Sequence, residues 1–122
     1  MSKHIMIVDD SKTIRNLLAF VVKSEGFRVT TAEDGLDALE KLYSMTPVDL
    51  IVSDVNMPRM DGFTFIKNLR EQDSYKDVPI IVLSTEGKEQ DIATGMSLGA
   101  NMYMVKPAEP AKMIRNIKML LG

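Results

Sequence analysis

Two spacings of hydrophobic residues alternate along the chain. Runs of consecutive apolar residues, such as those at 5–8 and 79–83, are typical of strands buried inside a parallel sheet. Between such runs, apolar residues recur every three or four positions, as they do from 14 to 22, which is typical of one face of a helix. The alternation continues to the last residues, and it predicts five strand–helix units.

The predicted strands cover residues 5–8, 27–31, 48–53, 79–83 and 102–105, and the segments after them carry the helical stripes. Gly26 and Gly99 follow the first and fourth stripes, where glycine commonly ends a helix. Asp34 precedes the second stripe as a plausible cap, and the third helix opens near Asp61-Gly62. Strictly alternating units predict an α/β fold with a parallel sheet covered by helices on both faces. Without a linker or repeat, we expect one domain over residues 1–122.

Polar residues follow four of the five predicted strands at the point where each strand ends. Asp9 and Asp10 follow the first, Asp54 follows the third, Ser84 ends the fourth, and Lys106 follows the fifth. In an open parallel sheet, ligands bind at the carboxyl ends of the strands, beside the point where strand order reverses. We therefore expect these side chains to meet at one site.

The charges of that site predict a divalent cation. Three aspartates and Lys106 leave two uncompensated negative charges, which repel one another unless a carboxylate is protonated or a cation binds. The chain has no cysteine and one histidine, His4, which we predict to be a surface residue too far from Asp9 to act. Oxygen ligands favour Mg²⁺, and Mn²⁺ is an acceptable substitute.

A carboxylate, a divalent cation, a lysine and a hydroxyl together suit phosphoryl transfer. Asp54 is the best candidate nucleophile, because it ends a central strand between the acidic pair and Lys106. Lys106 and the metal would neutralise charge on the phosphoryl oxygens, and Ser84 would donate a hydrogen bond to one of them.

Four segments of the chain resemble the signatures of response-regulator receiver domains. They are Ile-Val-Asp-Asp-Ser at 7–11, Asp-Val-Asn-Met-Pro-Arg-Met-Asp-Gly at 54–62, Ser-Thr at 84–85 and Lys-Pro at 106–107. The similarity extends over residues 3–121. Within the family, the chain most resembles stand-alone chemotaxis-type regulators, which share Asn56, two residues past the acceptor, and Glu86, two residues past the hydroxyl.

This resemblance implies the residues that bind metal and phosphate. Asp54 would be the phospho-acceptor and one of the acids that share the metal. Asp10 and the main-chain carbonyl of Asn56 would bind Mg²⁺ directly, and Asp9 would act largely through water. Lys106, together with Ser84, would contact the phosphoryl group.

The resemblance also implies the switch and the fold. Tyr103 matches the aromatic switch position and would move with Ser84, while Asn56 and Glu86 are candidates for tuning hydrolysis. The sheet order would be 2-1-3-4-5, with five helices in a flavodoxin-like doubly wound arrangement and a cis bond before Pro107. The chain has Ser84 where threonine is more frequent, and Ala108 where phenylalanine is common.

The implied protein is a phospho-acceptor switch that catalyses its own phosphorylation and slow dephosphorylation, rather than an enzyme acting on other substrates. Its partners would be a sensor histidine kinase or phosphotransfer protein, and an output protein bound through the face formed by residues 88–121. Several methionines cluster there and could form an adaptable surface. A net charge of -2 with scattered lysines and arginines argues against nucleic acid, and the apolar runs are too short to cross a membrane. We expect a cytoplasmic protein.

Three other classes remain open on the residues alone. A phosphatase with an aspartyl nucleophile uses the same groups, but it usually carries the nucleophile after the first strand and needs a cap domain. A flavin or nucleotide binder shares the fold, although the paired acids Asp9 and Asp10 would repel a phosphate and no glycine-rich phosphate loop is present. A receiver-like docking module that is never phosphorylated is the last.

Overall fold

The computed structural model describes residues 2–44 and 47–122 and contains five strands and five helices in strict alternation. In chain order, the elements are β1 His4–Val8, α1 Lys12–Ser24, β2 Arg28–Ala32, α2 Gly35–Ser44, β3 Leu50–Ser53, α3 Gly62–Arg70, β4 Ile80–Ser84, α4 Glu89–Leu98, β5 Met102–Val105 and α5 Pro110–Leu121. The strands form one parallel sheet in the order β2-β1-β3-β4-β5. The predicted α/β fold and strand order are confirmed.

Strand register brings the polar strand ends level with one another. Val8 of β1 pairs with Ser53 of β3, so Asp9 and Asp54 leave the sheet side by side, and the Asp54 N–H donates to the Val8 carbonyl at 2.9 Å. On the other side, Ser84 of β4 pairs with Val105 of β5, and the Lys106 N–H donates to the Ser84 carbonyl at 2.7 Å. The four predicted ends therefore lie at one edge of the sheet, which we call the carboxyl edge.

Alternate strand residues point into two separate cores. Met6, Val8 and Ile51 belong to the core that α2 and α3 cover, where Phe65 and Ile66 are fully buried. The opposite core is covered by α1 and α5. It includes Ile5, Ile7, Leu50, Val52, Leu83, Met113 and Ile117. Because both faces of the sheet are covered, the interior positions of the central strands are apolar. Polar residues are confined to the strand ends.

Capping side chains and glycines set the helix ends close to the predicted positions. Asp34 accepts from the Asp37 N–H at 2.9 Å, and Asp61 accepts from the Thr64 N–H at 2.9 Å. Gly99 ends α4 with φ 117, a left-handed value that residues with a side chain rarely adopt. The Lys106-Pro107 bond is cis, as the resemblance implies.

His4 corrects one prediction. We predicted a surface residue, yet only 6% of His4 is exposed. The reason is that β1 lies between β2 and β3, so its first residue is covered from both sides. The imidazole Nε2 pairs with the Thr30 hydroxyl at 2.7 Å, and the His4 N–H donates to Asp49 at 2.7 Å. Its position at the start of β1, opposite the carboxyl edge, agrees with the prediction that it does not act at the site.

Within residues 2–44 and 47–122, no helix combines the length and the apolar composition that crossing a membrane requires.

Candidate functional site

Three carboxylates meet at the carboxyl edge. Oxygen atoms of Asp9, Asp10 and Asp54 all lie within 4.8 Å of one another. Asp9 and Asp54 are buried, whereas Asp10 is exposed and gives the group access to solvent. A group of three carboxylates with one open side is suited to a hard divalent cation that keeps part of its water shell. The structure thus brings together the acids that the sequence placed at one site.

Lys106 lies between two of these acids. Its Nζ atom donates to Asp9 Oδ2 at 2.8 Å and to Asp54 Oδ2 at 3.1 Å, and the side chain is only 12% exposed. One ammonium group therefore serves two buried carboxylates. With Asp10 nearby, the cluster keeps the excess of negative charge that the sequence predicts.

The pKa values of Asp54 and Lys106 reflect both burial and the neighbouring charges. Burial raises the pKa of the Asp54 carboxyl above its usual value and the Asp9 charge adds to the effect, so the hydrogen bond from Lys106 does not fully compensate. Burial would lower the pKa of Lys106, but its bonds to Asp9 and Asp54 outweigh burial and raise it. The donor set is thus made of oxygens and carries surplus negative charge, and burial disfavours the ionised form of Asp54. A group with these properties fits Mg²⁺.

Main-chain contacts fix the two buried aspartates. Asp54 Oδ1 accepts from the Val55 N–H at 2.7 Å, which leaves Oδ2 for Lys106. Asp9 Oδ1 accepts from the Ser11 N–H at 2.9 Å, and Ser11 also caps α1. Arg15 donates to the Asp9 carbonyl at 2.8 Å. Sequence reasoning missed Ser11 and Arg15, although a serine directly after two aspartates and before a helical stripe is a recognisable capping signal.

Asn56 and Glu86 approach each other above this site. The Asn56 Nδ2 group donates to Glu86 Oε1 at 3.3 Å, and Asn56 is exposed. Among the described residues, none donates a hydrogen bond to the Asn56 main-chain oxygen. That carbonyl therefore keeps its lone pairs for another partner.

Ser84 and Tyr103 are joined through the main chain of Glu86. Ser84 is fully buried, and its hydroxyl accepts from the Glu86 N–H at 3.1 Å. The Tyr103 hydroxyl donates to the Glu86 carbonyl at 2.6 Å. Burial raises the pKa of Tyr103, which keeps this donor protonated. Ser84 does not cap α4, whose first turn follows Lys88 without a side-chain cap.

Tyr103 also packs inward against α4. A Cβ atom placed on Gly95 would lie 3.2 Å from the Tyr103 ring and 3.3 Å from the Phe63 ring, so the missing side chain leaves room for both. The aromatic residue predicted as a switch therefore contacts the loop that follows β4 and the helix that follows the loop.

The methionines of the 88–121 face divide into two groups. Met104 and Met113 are buried, whereas Met96 is 43% and Met119 is 62% exposed. Ala108, where the sequence departs from the common phenylalanine, lines a groove of about 330 Å³ between α1 and the loop after β5, next to Lys106. The smaller side chain leaves that groove open.

Comparison with known proteins assigns this arrangement to a family. The model of the response regulator receiver domain matches residues 5–118. The chain is similar to the chemotaxis protein CheY1 of Helicobacter pylori, with 34% identity over 119 residues that cover 97% of this chain and 96% of that protein.

Two solved structures share the fold closely. The chemotaxis response regulator CheY4 of Vibrio cholerae superposes with a TM-score of 0.91 at 37% identity, covering 98% of this chain and 99% of that one. The complex described as CheX-CheY-BeF3-Mg+2 from Borrelia burgdorferi gives a TM-score of 0.91 at 34% identity, covering 98% of this chain and 90% of that one.

Proposed function

Because this chain belongs to the response regulator receiver family, we propose that Asp54 is the residue that accepts its phosphoryl group, in a reaction that requires Mg²⁺. One observation carries the proposal. Asp54 has one carboxylate oxygen fixed by the Val55 N–H and the other bonded to Lys106, within 4.8 Å of the Asp9 and Asp10 carboxylates. The residues that would serve as nucleophile, cationic partner and metal ligands therefore lie close together.

The cation would be held by Asp9, Asp10 and Asp54, with the main-chain carbonyl of Asn56 as a further ligand. Bound there, Mg²⁺ supplies positive charge that offsets the surplus carboxylates and the oxygens of an incoming phosphate. Mn²⁺ offers the same ligand preferences and would substitute for it.

Phosphoryl transfer begins when an Asp54 carboxylate oxygen attacks the phosphorus of a phosphohistidine. The new O–P bond forms as the P–N bond breaks, and the imidazole leaves with the bonding electron pair and takes up a proton. Lys106, which bridges Asp9 and Asp54 at 2.8 and 3.1 Å, is close enough to turn toward the transferred oxygens. Its ammonium charge stabilises the transition state, and Ser84 supplies a hydroxyl donor.

Phosphorylation would change the conformation of the switch through Glu86. Before phosphorylation, the Glu86 N–H donates to the Ser84 hydroxyl. When this hydroxyl turns to donate to the phosphoryl group, the Glu86 segment moves with it. Tyr103 follows, because its hydroxyl bonds to the Glu86 carbonyl. The population of the 88–121 face then shifts toward a form that binds an output protein.

The same open side of the site would control how long the signal lasts. Asn56 and Glu86, in contact at 3.3 Å, would lie beside the path of the water that hydrolyses the acyl phosphate. We assign them a tuning role in this dephosphorylation, which the chain would catalyse itself.

We infer the type of regulator from the relatives. Chemotaxis proteins are among the similar chains, and this supports a stand-alone chemotaxis-type regulator formed by one domain over 1–122. We expect the protein in the cytoplasm, where its phosphate donor would be a sensor histidine kinase or a phosphotransfer protein. The CheX-CheY neighbour supports a protein partner of the phosphorylated form.

The decisive experiment uses Asp54→Asn with acetyl phosphate and Mg²⁺, and intact mass spectrometry reads the product. We expect one phosphoryl group on the wild type and none on the variant, while Asp73→Asn, an exposed loop aspartate, behaves as the wild type. If Asp54→Asn is labelled to the same stoichiometry, the assignment is wrong. Repeated turnover of a small phosphate ester would instead favour the phosphatase class.

A further inference from the structure

Arg59 has an unusual backbone conformation three residues after Asn56. Its φ is 63, and among the described residues other than glycine it alone has a positive value. Residues with a side chain avoid this region, so contacts elsewhere have to hold Arg59 there. These contacts lie outside the acidic cluster.

The first contact is an ion pair across two loops. Arg59 Nε donates to Asp34 Oδ2 at 2.7 Å, and Arg59 Nη2 donates to Asp34 Oδ1 at 3.0 Å. The two parallel bonds match the fork of a guanidinium to both oxygens of one carboxylate, an arrangement that fixes orientation as well as distance. Asp34 is 2% exposed, and Glu33 lies 3.7 Å from the same guanidinium.

The second contact joins the next residues of the same loops. The Gly35 N–H donates to the Met60 carbonyl at 3.2 Å. A Cβ atom on Gly35 would come within 2.7 Å of Met60 Cγ, so the two segments touch without room for a side chain. The turn between β2 and α2 is thus attached to the 56–61 loop at two successive positions.

The base of the loop is closed as well. The Gly62 N–H donates to the Val55 carbonyl at 2.8 Å, and a Cβ atom on Gly62 would overlap the Asp54 main-chain oxygen. Asn56 therefore lies between a closed base at 55 and 62 and the Arg59–Asp34 attachment. Its carbonyl position depends on both ends.

From this arrangement we propose that the Arg59–Asp34 pair is a positioning device for the metal site. By holding the 56–61 loop against the turn after β2, the pair fixes the Asn56 main-chain carbonyl relative to the Asp9, Asp10 and Asp54 carboxylates. The inference rests on the proposed function, because it assumes that this carbonyl is a Mg²⁺ ligand. Arg59 and Asp34 themselves touch neither metal nor phosphate.

If Arg59 is removed, its electrostatic effect and its positioning effect should change Mg²⁺ affinity in opposite directions. Removing a cation near an acidic cluster strengthens Mg²⁺ binding by Coulomb attraction alone. Releasing the loop weakens binding, because a ligand that must be ordered on binding contributes less. Arg59→Gly removes the side chain and the strain at a positive φ but also frees the backbone, so Arg59→Lys is the sharper variant. Arg59→Lys keeps the charge and loses the fork.

The test is a Mg²⁺ titration of the metal-free full chain, followed by amide chemical shifts in NMR. We expect Arg59→Lys and Arg59→Gly each to weaken Mg²⁺ binding by roughly tenfold, a typical effect for groups that orient metal ligands. Asp34→Asn, which retains a capping oxygen for α2, should weaken it in the same direction. Lys118→Gln removes the exposed bond to Glu25 Oε2 at 3.0 Å and serves as the matched control with unchanged affinity.

A second readout needs no metal. In the metal-free protein, hydrogen exchange of the Gly35 and Met60 amides should accelerate in Arg59→Lys and stay unchanged in Lys118→Gln. Unchanged or tighter Mg²⁺ binding by both Arg59 variants would overturn the positioning role and leave the proposed function intact. If the wild type itself shows no saturable Mg²⁺ binding at this edge, the proposed function fails first.

Discussion

The two ends of the sheet bury polar groups in opposite ways. At the carboxyl edge, the buried carboxylates of Asp9 and Asp54 share the Lys106 ammonium, exposed Asp10 adds a third negative charge, and the charges do not cancel. At the amino end, His4 is buried beside Thr30 and Asp49. Its Nε2 and main-chain N–H are hydrogen-bonded, its Nδ1 has no partner among the described residues, and burial lowers its pKa and so favours the neutral imidazole. Surplus charge marks the end that is suited to a ligand, and a buried neutral group marks the end that supports the fold.

Of the variants considered, Lys106→Met should have the largest effect on the carboxyl edge. It removes the cation that offsets Asp9 and Asp54, and with it a charge that stabilises the transferring phosphoryl group. We expect phosphorylation by acetyl phosphate to slow by about 100-fold or more, measured from the rate of mass increase. Lys118→Met, an exposed lysine of α5, should keep the wild-type rate. A rate within about twofold of wild type would separate Lys106 from the chemistry.

Gly62→Ala should have the next largest effect, because it disturbs the backbone next to Asp54. The new Cβ would overlap the Asp54 carbonyl, so β3 and the start of α3 have to separate. We expect a loss of about 3 kcal/mol in the free energy of unfolding, measured by urea denaturation. At Gly87 the same Cβ meets Val105 at 3.4 Å, an ordinary contact, and Gly87→Ala should be nearly neutral. Equal stabilities for the two variants would contradict the close approach.

Tyr103→Phe tests the link between the site and the 88–121 face with a smaller change. The variant loses the 2.6 Å bond to the Glu86 carbonyl and keeps the ring. We expect a cost of about 1 kcal/mol in stability and a weaker response of the α4 and β5 amides to phosphorylation. Tyr43→Phe is the control, since that hydroxyl is on a side chain 70% exposed. Identical amide responses in Tyr103→Phe and the wild type would remove Tyr103 from the switch.

His4 should give the amino end a shallow pH dependence of its own. Burial is the main cause that lowers the pKa of His4, the Arg28 charge adds to it, and Asp49 opposes it. The unfolded chain then binds the proton more readily than the folded chain, so stability is full above about pH 6.5 and falls as the pH drops through that value toward the lowered pKa. In His4→Gln this component should vanish from urea curves collected across that range. Parallel curves for both proteins would show that His4 does not contribute.

Much of the fold was predictable because each strand and helix carries its own periodic signal. The polar strand ends were predictable too, since a parallel sheet gathers them at one edge, and Asp9, Asp54 and Lys106 meet there. The burial of His4 was not predictable from its own segment, because it depends on β1 lying between two strands.

The Arg59–Asp34 pair shows a second limit. Its members are 25 positions apart in sequence, and both lie in loops without periodicity. The local sequence marks Asp34 as a helix cap but does not point to Arg59 as its partner, and only the packing of the turn after β2 against the 56–61 loop brings them together. Contacts between loops of this kind follow from the three-dimensional fold rather than from the pattern that predicts it.

We infer that the surplus negative charge at the carboxyl edge serves to bind a divalent cation. A Mg²⁺ titration of the wild-type chain, read residue by residue from amide shifts, tests it directly. We expect saturable shifts that are largest at Asp10, Val55 and Asn56, with His4 and Arg28 unchanged. No saturation, or shifts of equal size at the amino end, would contradict it.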